Sequence, residues 1–119
     1  MSKASVKLNK PKISENDVVK SLCNYLSYRH IFFWRQNTAP VFDSTHGRFR
    51  AMPSFALRGV PDIIAIIKGR FIGIEVKRPG GKMSDSQEEF KARCQMAGGL
   101  YCLAHSIDEF IAFEKEFIN

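Results

Sequence analysis

The chain has 119 residues, 45% hydrophobic and 25% charged, the composition of one globular domain whose core needs no disulfide or metal staple. Its net charge of +6 is an average: residues 1–82 carry fifteen basic and five acidic side chains, a balance of +10, and residues 83–119 carry three and seven, a balance of −4. The longest apolar runs, Ile31 to Trp34 and Ile63 to Ile67, are far too short to span a bilayer, and Cys23, Cys94 and Cys102, odd in number and without a Cys-x-x-Cys pair, speak against a disulfide framework or a zinc site.

Residues 1–12 are polar and basic, with four lysines and no apolar core, and read as a flexible basic arm rather than a secretory signal. A single domain is expected over 13–119, in a cytoplasm that keeps the thiols reduced. Ser14 is a good N-cap, Glu15 and Asp17 suit the first turn, and Val18, Val19, Leu22 and Leu26 recur at helical spacing, so a helix is expected to about Arg29. Ile31 to Arg35 reads as a short strand. From Gln36 to Pro61 periodicity disappears among Pro40, Gly47, Pro53 and Gly59, with Arg48, Arg50 and Arg58 interspersed; loops of that length are usually functional or disordered.

Ile63–Ile67 and Phe71–Lys77 are strand-like and joined by Lys68, Gly69 and Arg70, a hairpin signal. Apolar residues on both of its faces predict a central position in a sheet covered on both sides. Ser84 with Gln87 three residues on is a capping-box pattern that opens a helix to about Ala97. Leu100–Ala104 is a further strand, expected parallel to the one before because a helix intervenes. Ser106 opens a last helix whose Ile107, Phe110, Ile111, Phe117 and Ile118 form the expected buried face. Trp34 and most phenylalanines are expected in the core. The order is α-β-β-β-α-β-α, an α/β domain around a small mixed sheet with a central hairpin.

Three residues break the apolar pattern. Glu75 stands inside an apolar strand, where a carboxylate is rarely buried without a partner. Alternation sets Lys77 on its face, about 7 Å along the strand, and Asp62 begins the neighbouring strand. Taken singly, Glu75 with Lys77 also fits a solvated pair, and Asp62 after Pro61 a turn residue. Taken together, two neighbouring carboxylates raise each other's pKa unless a cation sits between them, and a divalent ion with a lysine nearby suits phosphodiester hydrolysis.

Gly59-Val60-Pro61-Asp62, then Glu75-Val76-Lys77, then Gln87 opening a helix, resemble the PD-(D/E)XK nuclease superfamily, and more narrowly the VRR-NUC group, whose small stand-alone members occur in phages and bacteria. The resemblance runs from about Glu15 to Leu103. It implies a restriction-endonuclease-like core in which Asp62, Glu75 and the Val76 carbonyl bind Mg²⁺ or Mn²⁺ and Lys77 positions the attacking water. It further implies that Gln87 lies near the lysine or the scissile phosphate, a role that its capping position allows it to combine with the cap. Glu15 matches an acid that supports the site indirectly, and its spacing to Val18, Val19 and Leu22 points it inward. Arg35 and Asn37 resemble a phosphate-contacting pair; Arg48, Arg50, Arg58, Arg78 and Lys82 are the further expected nucleic-acid contacts.

The expectation is a Mg²⁺-dependent, structure-selective DNA endonuclease of a bacterial or phage-infected cell, which stand-alone relatives suggest is a homodimeric Holliday-junction resolvase. No phosphate loop is present, so no nucleotide cofactor is expected. The alternatives are a nuclease subunit targeted by a partner chain, and a nucleic-acid-binding module without catalysis.

Overall fold

The computed structural model describes residues 12–36, 42–49 and 52–118. The arm, apart from Lys12, and both Asn37 and Arg50 lie outside the described residues.

Helix α1 (Glu15–Tyr28) begins where Ser14 was expected to cap it, and the cap is reciprocal: Ser14 Oγ accepts from the Asp17 amide, and the Asp17 carboxylate accepts from that of Ser14. Val18, Val19, Leu22 and Leu26 form its buried stripe. Strand β1 (Phe32–Arg35) follows. The stretch from Gln36 to Pro61, read as irregular, contains a two-stranded antiparallel ribbon, β2 (Phe42–Asp43) with β3 (Arg48–Phe49). Strands this short carry too few residues for alternation to show in the sequence.

Strands β4 (Ile63–Ile67) and β5 (Arg70–Val76) form the expected hairpin, with a two-residue turn in place of the three-residue one read from the sequence, because Arg70 pairs with Ile67. Lys68 and Gly69 both take positive φ, 52° and 76°, the backbone that matches the twist of a two-residue hairpin. Helix α2 (Asp85–Met96), strand β6 (Leu100–Ala104) and helix α3 (Ile107–Phe117) complete the chain. The main sheet has the order β1-β4-β5-β6, antiparallel except for the parallel pair β5 and β6. The result is a small α/β domain: a four-stranded mixed sheet, a short ribbon and three helices.

The core lies on one face of the sheet. There α1 and α3 cover Ile63, Ala65 and Ile67 of β4, Ile72, Ile74 and Val76 of β5, and Cys102 and Ala104 of β6. Burying each Leu, Ile or Phe stabilises this layer by roughly 1.5–3 kcal/mol. Arg29, just past α1, reaches Glu114 of α3 and ties the two helices together. The three thiols are free, Cys102 buried and Cys23 and Cys94 half-buried; burial pushes the Cys102 thiol up to about 12.

The central hairpin is covered on its other face too, where Ile64, Gly73 and Glu75 are buried, but that face is thinly covered at its margins. Helix α2 lies there without burying any residue fully, Phe71 stays half-buried, and Phe32 and Trp34 are exposed rather than in the core. In α3, Phe110 is buried and Ile118 just beyond it too, but Phe117 points to solvent. Helical spacing marks a stripe wider than the contact that covers it.

Candidate functional site

Alternation along β5 leaves Ile72, Ile74 and Val76 in the core and puts Gly73, Glu75 and Lys77 on the α2 face. One step beyond the pair Ile63 and Ile74, the hairpin register sets Asp62 opposite Glu75. The Asp62 carboxylate accepts from the Val76 amide at 2.8 Å, which fixes it at the mouth of the hairpin.

Glu75 is 2% exposed, the one buried charged residue among those described. Its Oε2 accepts from Gln87 Nε2 at 3.2 Å and faces Lys77 Nζ at 3.9 Å, whereas Oε1 is buried without a partner. Burial first, then the charge of the facing Asp62, push Glu75 up to about 8. Lys77 opposes that shift, and Glu15 adds slightly to it. Burial and the facing charge thus favour the protonated form of Glu75, where a cation would otherwise offset the charge.

Gln87 occupies the N3 position of α2. Its Oε1 accepts from the Ser84 amide at 2.8 Å while Nε2 serves Glu75, so one side chain closes the capping box and holds the buried carboxylate. What brings α2 to this place is Gly59: at φ 73°, a Cβ there would lie 2.3 Å from the Ser86 carbonyl oxygen. The Gly-Val-Pro-Asp segment thus packs its backbone against the first turn of α2. Pro61 closes over Gly73, where a Cβ would come within 2.7 Å of its ring.

Sequence reading missed Tyr101. It sits on β6 opposite Gly73, 5% exposed, with its hydroxyl buried and unpartnered. Burial raises its pKa, and the charges of Glu75 and Asp62 raise it further, so the ring lies on the carboxylate side of the sheet. The signal was a tyrosine in an otherwise apolar strand.

The remaining candidates are more dispersed. Glu15 does not point inward; it is exposed on the first turn of α1, where capping geometry rather than the buried stripe sets its direction, and lines a cleft of about 980 Å³ with Asn16 and Arg78. Arg35 is exposed and donates to Asn16 Oδ1 at 3.0 Å. Arg48 is exposed on the ribbon and Lys82 beyond β5. Arg58 lines a second, more apolar cleft of about 820 Å³ between residues 52–58 and α2, which none of Asp62, Glu75, Lys77 or Gln87 lines.

Among the described residues no group of three or more His, Cys, Asp or Glu is placed to hold a metal ion. Asp62 and Glu75 provide two carboxylates, the number that Mg²⁺ typically takes from a protein when waters and a phosphate complete its shell. The buried, unpartnered Oε1, and the raised pKa that burial and the charge of Asp62 give Glu75, fit a cation between the two carboxylates. No helix among the described residues is long and apolar enough to cross a membrane. No protein-family model, curated protein or solved structure matches this chain.

Proposed function

We propose that this chain is a divalent-cation-dependent DNA endonuclease with a restriction-endonuclease-like core of the VRR-NUC kind. The observation that carries this reading is the buried Glu75, held at Oε2 by Gln87 and Lys77 and unpartnered at Oε1, opposite Asp62. A merely structural ion pair would satisfy both oxygens, since an unmet buried acceptor costs about 1–3 kcal/mol or more.

In this reading Asp62, Glu75 and the Val76 carbonyl would hold Mg²⁺ or Mn²⁺. Such an ion, when bound, lowers the pKa of water and neutralises charge on a phosphate oxygen. Lys77 orients the attacking water from the same sheet face and stabilises the negative charge that develops on the phosphate. Gln87 keeps Glu75 Oε2 from turning away. Water attacks phosphorus in line and the 3′ oxygen leaves, giving a 5′ phosphate. Arg78, at the cleft beside α1, would meet the nucleic acid, and Glu15 beside it, whose charge is felt at Glu75, would support the metal site indirectly.

The substrate in this reading is branched or otherwise irregular DNA, cut by a homodimer. The basic excess over residues 1–82 supports a phosphate backbone as the partner. The test is cleavage of junction, flap, single-stranded and duplex DNA with Mg²⁺ or Mn²⁺, by the wild type and by Asp62→Ala, Glu75→Ala and Lys77→Ala. Cleavage that falls about a hundredfold or more in each variant supports the proposal. Equal activity in all four proteins, or tight metal-free binding without cleavage, overturns it.

A further inference from the structure

Strand β1 carries two large aromatic side chains in solvent. Phe32 is 68% exposed and Trp34 41%, their ring centroids 5.7 Å apart and their planes tilted by 49°. Trp34 pairs with Ile64 and Phe32 with Ile66, both outside the core under α1 and α3, so the rings stand on the face that carries Asp62 and Glu75. The indole is fixed in place: Trp34 Nε1 donates to Gln36 Oε1 at 3.0 Å, and the Gln36 amide donates to the Asp62 carbonyl at 2.8 Å. Asp62 is two residues along β4 from the partner of Trp34, a diagonal of about 7–8 Å. At about 3.4 Å per nucleotide of a stacked strand, that is roughly two nucleotides.

Exposed aromatics on a flat sheet face suit two occupants, another protein surface or unpaired bases. Charge decides between them. Lys68 is exposed at the hairpin turn two residues past the partner of Phe32, Lys77 lies beyond the carboxylates, and the segment that holds them carries the chain's basic excess. Aromatic faces flanked by cations are what proteins use to hold single strands, because every base has a π-face and every nucleotide a charge. Bases inside a duplex expose only their edges, so neither ring could stack on one.

We propose that Phe32 and Trp34 form a stacking platform for unpaired bases about two nucleotides from the Asp62 and Glu75 pair, which makes single-stranded segments of DNA the preferred substrate class. This rests on the nuclease reading of that pair for the cut, though not for the binding.

Trp34 is the chain's single tryptophan, so its fluorescence reports on the platform directly. The wild type is titrated in EDTA with a short oligo(dT) and with a blunt duplex of equal length, and binding of labelled oligo(dT) is measured in parallel for Phe32→Ala, Trp34→Leu and the control Met96→Ala at the exposed end of α2. Expected are saturable quenching by oligo(dT) and not by duplex, affinity about ten to a hundredfold weaker in the first two variants, and no change in the control. Such binding without cleavage when Mg²⁺ is added supports the platform and overturns the nuclease reading. Cleavage without quenching, with both DNAs bound alike, overturns the platform alone. A concentration-dependent dimer that dissociates in Phe32→Ala, with quenching that follows protein concentration and not oligo(dT), assigns the rings to a second copy and likewise overturns it.

Discussion

Gln87 binds Glu75 and the start of its own helix at once: Nε2 lies 3.2 Å from Glu75 Oε2, and Oε1 lies 2.8 Å from the Ser84 amide. The two bonds separate by substitution. Gln87→Ala loses both, and is expected to cost about 1 kcal/mol of stability together with most of the cleavage. Gln87→Glu keeps a residue able to close the box but sets a carboxylate against Glu75. Thermal unfolding should show it increasingly below wild type as pH rises and the two carboxyl groups ionise, while the cleavage assay shows it as impaired as Gln87→Ala.

The buried carboxylate makes stability depend on pH. Its folded pKa of about 8 lies above the ordinary 4.5, so between those values the unfolded chain releases the proton while the folded one retains it. Stability is therefore greatest below the lower value and falls as pH rises towards the upper one. In EDTA the melting temperature of the wild type should drop from pH 5 to pH 8, whereas Glu75→Gln should show little slope and overtake it at the alkaline end. Adding Mn²⁺ should restore the wild type at pH 8 and leave the variant unchanged. A wild-type curve parallel to that of Glu75→Gln would contradict the burial of an uncompensated acid.

Gly59 and Gly69 share a left-handed backbone, φ 73° and 76°, and differ in what surrounds them. Nothing lies within 4 Å of a Cβ at Gly69, so Gly69→Ala should cost about the conformational 1–2 kcal/mol alone. A Cβ at Gly59 meets the backbone of Ser86, which cannot move without shifting α2 and with it Gln87. Gly59→Ala should be the more destabilising by about 1 kcal/mol or more in urea unfolding. It should also lower cleavage where Gly69→Ala does not.

Tyr101 holds a buried hydroxyl without a partner, an arrangement that costs about 1–3 kcal/mol. Tyr101→Phe removes that oxygen at nearly constant volume, and chemical denaturation should show a protein as stable as wild type or up to about 1 kcal/mol more so. A loss of more than about 1 kcal/mol would mean that the hydroxyl is bonded in solution, with the Glu75 carboxyl, whose charge is felt at Tyr101, a candidate partner.

The sequence by itself determined the elements and the suspect residues. The helix starts at Ser14, Ser84 and Ser106 follow from side chains that satisfy nearby amides, a matter of three or four residues. The hairpin follows from alternation and a Lys-Gly turn, and the period of two then fixes that Glu75 and Lys77 share a face. Even the double use of Gln87 could be read, because its capping position and its match to a nuclease pattern coincide in one residue. Tertiary structure alone decided what covers each face, since burial depends on contacts between segments distant in the chain. That is why Glu15, inward by spacing, is exposed, and why Trp34 and Phe32, core residues by composition, stand in solvent on the edge strand β1, while α2 packs against β6 at the opposite edge of the sheet. It also decided that Glu75 keeps one oxygen without a partner: alternation names the face of a carboxylate, and only the approach of α2, which brings Gln87 to Oε2, sets which oxygen is met.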